Sequence, residues 1–366
     1  MQRPMMLFLG LAFAASGVFG RERGDGSRRC AYPVVMNGKW GCIDHAGKLI
    51  IQPKYELILA CKDGRMAFNV GGALKEQLDG ATHFTEGRWG VLSWNGRVVV
   101  PAQYMHVNGY QEGYAAVETE GGWGFIDRDG KMVVGPRFLD AKYFREGLCP
   151  VGMSVARPIG GASKRFGFVD KHGEVVIPAK YEDVGHFCEG LAPVKTEGAW
   201  GYINKSGAVK IAPTFGYASE FTPSGLARVS VGRSAVSAKF GFIDREGNWV
   251  ILPRFTAEVG HFSEGLARVR CELGFGFMDT SGKVVIPGKY RQCFAFSEGL
   301  AGVDCGMGET SYGVIDKTGK MVIEPRFGAV YLPFDNGLSC VLLNGQEGEE
   351  TGYVDRMGRW VWRPTK

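Results

Sequence analysis

His186 and His261 each sit in a Gly-His-Phe tripeptide at matching places in the chain, and imidazole is the side chain best suited to act as a base or a metal ligand near neutral pH. A metal bridge between them is conceivable, but no metal-ligand spacing and no CxxC pair supports one, so a surface or inter-strand histidine is the expected role. Cys271 and Cys305 also occupy matching positions, each two residues past a valine, and a disulfide between them needs Cα atoms within about 7 Å. The segment Asp127-Arg128-Asp129-Gly130 begins like a calcium loop yet lacks the later ligands. Glu146, Glu189, Glu264 and Glu298 each precede a glycine, and such repetition fits turn chemistry better than acid catalysis. There is no GxSxG and no glycine loop leading into a helix. The expectation is a protein that is not an enzyme, with no catalytic residues, no metal and no cofactor.

The elements that carry these residues recur. An aromatic followed by glycine appears at Trp40-Gly41, Trp89-Gly90, Trp123-Gly124, Phe166-Gly167, Trp200-Gly201, Phe240-Gly241, Phe275-Gly276 and Tyr312-Gly313, and a ninth copy, Thr351-Gly352, has lost the aromatic. Behind each comes a short apolar pair, then Asp, Asn or Ser, two variable residues and a glycine, as in "FIDRDG" and "YINKSG". Two apolar runs flanking an Asp-x-x-Gly turn make a β-hairpin. Proline follows at Pro53, Pro101, Pro136, Pro178, Pro213, Pro253, Pro287 and Pro325, where it is expected to end the second run. Each unit finishes with Glu-Gly-Leu and a further strand. The recurring aromatics are expected to build one continuous core, since burying a large apolar side chain is worth roughly 1.5–3 kcal/mol. A stacking platform for carbohydrate is the sharper reading of the same tryptophans.

With this pattern the chain resembles the WG-repeat (KWG-repeat) proteins from about residue 30 to residue 366. The resemblance implies a bacterial and commonly exported protein with an architecture but no assigned activity. The fold expected is all-β, about nine tandem antiparallel hairpin units of three strands each. A fourth strand is possible in "YEDVGHF" or "FLDAKYF". Nine units exceed the usual four to eight propeller blades, and neither end offers a half-blade for exchange, so an open twisted array is favoured over a closed ring.

Spacing locates the variation. From each aromatic-glycine glycine to the next Glu-Gly-type glycine the distance is 23 or 24 residues, whereas the return distances are 26, 11, 20, 11, 16, 11, 14 and 15. Insertions confined to one turn emerge on one edge of a repeat array, a common place for binding. The three longest carry the candidate binding residues Lys75, Arg157, Lys164, Arg165, Arg233 and Lys239, and the first could hold a helical turn near Leu74 and Leu78.

Residues 1–20 combine Arg3, an apolar run from Met5 to Ala15 and small residues near Gly20, the order of a secretory signal peptide and too short to span a bilayer. Residues 21–29 read as a flexible basic arm, and residues 30–366 as the array. Arg23-Gly24-Asp25 matches an adhesion tripeptide that recurs by chance. The net charge of +5 is spread among interspersed charges, with no nucleic-acid stripe. Nine cysteines leave at least one thiol unpaired in a monomer. The functional expectation is an exported, periplasmic or extracellular scaffold, binding an unknown protein or an envelope polysaccharide through loops on one edge; the alternative is a carbohydrate-binding repeat module using exposed aromatics.

Overall fold

The computed structural model describes residues 30–76, 82–156, 161–232, 238–256, 258–306, 308, 311–330, 333–343 and 350–363. The proposed signal peptide and basic arm lie outside them. Nine small antiparallel sheets, here blades 1 to 9, follow one another along the chain, and a two-stranded hairpin is inserted in blade 2. Blades 1 and 7 have three strands and the other seven have four. The fourth comes first in each of those blades and is only two residues long, as at Asp140–Ala141 in "FLDAKYF" and Asp183–Val184 in "YEDVGHF".

Blade 5 shows why this sequence makes these strands. Leu191–Thr196 pairs with Ala199–Asn204, which pairs with Val209–Phe215. The turn between the last two is set by Asn204, whose Oδ1 accepts from the Ser206 and Ala208 amides at 3.1 and 3.0 Å. Pro213 does not end its strand. Trp200 pairs with Phe215 and Tyr202 with Ile211, so two residues face four and the proline rides on a bulge, where its missing N–H is not needed. The glycine of the aromatic-glycine pair answers that bulge. At Gly124 in blade 3, a Cβ would lie 2.5 Å from the Val134 carbonyl oxygen and 3.0 Å from the Pro136 nitrogen.

The Glu-Gly turn is equally determined. In blade 4, Arg145 and Leu148 exchange backbone hydrogen bonds across a two-residue loop, and Glu146 and Gly147 both take positive φ, 52° and 84°. That is the type I′ hairpin turn, whose twist matches the flanking strands. Glutamate in this strained conformation is retained because its carboxylate clasps the next blade: Glu146 accepts from the Gly190 amide at 3.1 Å and pairs with Lys205 at 3.2 Å. Glu264 repeats the clasp, accepting from the Glu298 and Gly299 amides at 2.8 and 2.9 Å and pairing with Lys317 at 3.2 Å.

The chain divides into two compact units. One comprises Met1–Arg137, Met307–Val314 and Val322–Lys366; the other comprises Phe138–Gly306 and Ile315–Met321. Both chain ends therefore belong to one unit, and there they pack together. Tyr32, Val34 and Ile43 of blade 1 share a buried cluster with Leu338, Cys340 and Tyr353 of blade 9. The Tyr353 hydroxyl donates to the Pro33 carbonyl at 2.9 Å, and the Tyr32 and Tyr353 rings meet edge to face at 5.6 Å. This contact corrects the open array: the nine blades form a ring, a β-propeller arrangement. Among the described residues no strand is exchanged, since all strands of blade 1 come from the N-terminal segment and all those of blade 9 from the C-terminal one. Side-chain packing and side-chain-to-backbone hydrogen bonds make the join, and they leave no half-blade for the sequence to show.

In the second unit the core is a series of aromatic-rich clusters between successive blades. Phe168, Tyr181, Phe187 and Ile203 belong to one, and Tyr202, Phe215, Phe221 and Ile243 to the next. The helical turn expected near Leu74 is a strand instead: Ala73–Glu76 pairs with Thr82–Thr85, and Leu78 lies outside the described residues.

Candidate functional site

In seven blades the segment that leads into the Glu-Gly-type turn plants one aromatic ring in the core: Tyr110, Phe144, Phe187, Phe221, Phe262, Phe296 and Phe334, each no more than 2% exposed. The residue just before that ring is held in place by it. In blades 3, 8 and 9 this residue is Gly109, Ala295 or Pro333. In the four consecutive blades 4 to 7 it is Tyr143, His186, Glu220 and His261. All four belong to the second unit, and the repeat breaks its own pattern there with ionisable side chains.

These residues converge. The Tyr143 ring stacks on the His186 ring at 3.7 Å and 17°. The His186 backbone amide donates to Glu220 Oε1 at 2.8 Å, and its Nδ1 lies 2.7 Å from the same oxygen. Arg145 Nη1 donates to Glu220 Oε2 at 2.7 Å, and its Nη2 donates to Cys188 Sγ at 3.1 Å. His186 is buried, 7% exposed, and its Nε2 is closed off from solvent without a hydrogen-bond partner. Lys142 Nζ donates to the Val184 carbonyl at 2.5 Å and Arg228 Nη1 to the Val259 carbonyl, so cations flank the row on both sides.

The electrostatics fix the protonation pattern. Burial opposes ionisation of Glu220, but the hydrogen bonds from His186 and the Arg145 charge outweigh it, so the carboxyl is held below its usual range. Burial lowers His186 despite the neighbouring carboxylate. His261 falls to about 4, through burial and then the Arg228 guanidinium. Burial pushes Tyr143 up to about 12, with Glu220 adding to it. Burial likewise raises the Cys188 thiol to about 11, which makes it a poor nucleophile. At neutral pH the pair is therefore a carboxylate and a neutral imidazole. An ionised carboxylate only accepts, so Nδ1 carries the proton and Nε2 presents a bare lone pair. A carboxylate-oriented imidazole can accept a hydrogen bond or a proton from a bound molecule. Among the described residues no group of three or more His, Cys, Asp and Glu could hold a metal ion.

The residues singled out from the sequence lie elsewhere. Lys164, in the third strand of blade 4, is paired with Asp140 at 2.8 Å and sits 5.1 Å from the Phe166 ring centre. Arg165 is half-buried beside it, and Lys239 is exposed at the start of the third strand of blade 6. Lys75 is in the inserted hairpin, opposite His83. Arg157 and Arg233 lie outside the described residues. Of the repeat aromatics, Trp40, Trp89, Phe166, Phe240 and Phe275 are buried, and Trp123, Trp200 and Tyr312 are half-buried. No disulfide joins Cys271 and Cys305. The sequence signal for the polar row was present in the two matched histidines. Glu220 between them was missed because it stands in Ser-Glu-Phe and lacks the Gly-His-Phe signature of the two histidines.

The chain is similar to several solved structures at low sequence identity. A Porphyromonas gingivalis dipeptidyl peptidase 4 is 7% identical with a TM-score of 0.48, covering 91% of this chain and 57% of that one. A Pyrococcus horikoshii acylaminoacyl peptidase is 11% identical with a TM-score of 0.40, covering 80% and 56%. Kluyveromyces lactis Hsv2p is 8% identical with a TM-score of 0.37, covering 67% and 90%. The chain thus spans little more than half the length of either peptidase. No curated protein matches. The WG containing repeat matches at residues 40–72, 89–123, 123–153, 166–198, 200–233, 240–272, 275–306 and 312–346. Eight repeats across most of its length, each falling on the strands and turns described above, place the chain in the WG-containing-repeat family.

Proposed function

We propose that the chain is an exported, non-enzymatic scaffold that holds a protein or envelope-polysaccharide partner on its variable connections. One observation carries this reading: length varies chiefly at the connection from the Glu-Gly-Leu strand of each blade to its aromatic-glycine strand. In an antiparallel meander that connection lies at the opposite end of the blade from the Glu-Gly and Asp-x-x-Gly turns. The turn end is locked by clasps such as Glu264 on Glu298 and Gly299, and so is closed to drift. The other end varies, and in blades 4 and 6 its long connections are bordered by Lys164, Arg165 and Lys239, suited to an acidic partner. A non-catalytic role accords with the recurring glutamates, Glu146 and Glu264 among them, being committed to clasps.

The test replaces the long connections of blades 2, 4 and 6 with the eleven-residue spacing of blades 3, 5 and 7, then measures binding to envelope protein and polysaccharide fractions. Loss of binding with an unchanged melting temperature supports the reading, and undiminished binding refutes it. Saccharide binding is a second reading, and it shifts from the tryptophans to the row around His186, where a buried acceptor lacks its donor.

A further inference from the structure

We propose that Tyr143, His186 and Glu220, with Arg145, form a binding site for a neutral polyhydroxyl ligand, a saccharide whose hydroxyl donates to His186 Nε2. The inference deepens the second reading above and is independent of the variable connections.

Nε2 is the one ring nitrogen of His186 left without a partner, and a buried acceptor left bare costs about 1–3 kcal/mol. The rest of the side chain is over-determined. Its Nδ1 and its own amide both meet Glu220 Oε1, and Tyr143 covers one face of the ring. Such fixing of an imidazole by a carboxylate leaves the far nitrogen pre-aimed, in the ring plane and off the face that Tyr143 covers. The asymmetry among blades points the same way. If this position served packing only, the glycine, alanine or proline that suffices in blades 3, 8 and 9 would suffice in blades 4 to 7.

The class of ligand follows from charge. A bare lone pair requires a donor, which excludes a carboxylate or phosphate facing Nε2, and the adjacent Glu220 charge repels one further. An ammonium donor would meet the fields of Lys142 and Arg145, both of which act on His186. A neutral hydroxyl remains. A second hydroxyl fits the outer side of the Glu220 carboxylate, which is 26% exposed and already held by Arg145, and carboxylate with guanidinium is a donor–acceptor pair suited to adjacent hydroxyls. Because Nε2 is closed off, the ligand enters by displacing a neighbouring side chain.

The full chain, with imidazole nitrogens isotopically labelled, is titrated with maltohexaose, cellohexaose and mannohexaose, and in parallel with an oligogalacturonate and a chitosan oligomer of similar length. The expected result is an upfield shift of the His186 Nε2 resonance with at least one neutral oligosaccharide, and at least tenfold weaker binding of the charged pair. His186→Phe and Glu220→Gln should each weaken the neutral ligand at least tenfold. A chain with shortened connections should keep that affinity, so failure of the scaffold reading and failure of this site are told apart. No shift of Nε2 with any neutral oligosaccharide overturns the proposal whether or not the variants fold. So does equal affinity for the charged oligomers, or binding indifferent to both substitutions.

Discussion

Lowering the pH from 7 to 5 should destabilise this protein by about 2 kcal/mol through His261 alone. Burial, reinforced by the Arg228 guanidinium, holds the folded imidazole at about 4 against an ordinary 6.5. Between those values the unfolded chain takes up a proton that the folded chain refuses. Stability is therefore complete above 6.5 and is lost as the pH falls through 4. The gap of roughly 2.5 units, at about 1.36 kcal/mol each, sets a ceiling near 3.4 kcal/mol. At pH 5 the unfolded imidazole is ~97% protonated and the folded one ~10%, which gives the figure of about 2. His186, lowered by burial, acts in the same direction in the same unit, and His106, also lowered by burial, does so in the other. The measurement is urea denaturation at both pH values for the parent and for His261→Gln, together with an NMR titration of the histidine rings. The variant should lose about 2 kcal/mol less than the parent. Equal losses in the two proteins, or a His261 resonance that titrates near 6.5, would refute the reasoning.

Three further outcomes follow from single contacts. Gly124→Ala should destabilise by roughly 1–3 kcal/mol because its Cβ meets backbone, whereas Gly109→Ala, with open space around it, should stay within about 0.5 kcal/mol; similar urea midpoints for the two would remove the bulge explanation. Glu264→Ala strips the clasp from the Glu298 and Gly299 amides and should cost about 0.5–1.5 kcal/mol, limited by water reaching the exposed turn; the carboxyl's lowered range, in which hydrogen bonding and Lys317 outweigh burial, makes that difference fade in acid. Tyr353→Phe leaves the buried Pro33 carbonyl without its donor and should cost about 1–2 kcal/mol, with faster proteolysis near residue 30; an unchanged cleavage rate would mean that this bond does not hold the blade 1 to blade 9 join.

Much of the blade was legible in the sequence because each unit is specified locally. Asp127 with Gly130, and Glu146 with Gly147, announce turns whose hydrogen bonds lie within five residues, and the structure has them as read. Proline misled. Pro213 was expected to stop a strand because proline cannot donate to a ladder, but the bulge opposite Gly201 removes the need for that donor and the strand runs on to Phe215. Ring closure was not legible at all. It rests on Tyr32, Pro33 and Tyr353, whose contacts span some 320 residues, beyond the reach of any local pattern. The candidate site falls between these cases. His186 and His261 stood out, but their meaning depends on Glu220, which sits in Ser-Glu-Phe and lacks their Gly-His-Phe signature.

In a repeat protein, positions that recur are explained by the fold, so chemistry is to be sought where a recurring position changes type and the changed residues meet. The variable connections change mainly in length, and a surface loop can drift in length at little cost, since closure entropy grows slowly. The row from Tyr143 to His261 changes in kind at positions next to a buried ring, and it accepts the burial of His186 and the partial burial of Glu220 and His261 that an alanine or glycine would avoid. Drift does not hold such a burden in place. The two ends of the blades thus make separable demands: the loop end can be trimmed without touching His186, and Glu220 can be neutralised without touching a loop. A protein in which both changes abolished the same binding event would have to couple them through the strands between. The clasps and bulges that fix those strands leave little freedom for such coupling, so independence of the two perturbations is the expected result.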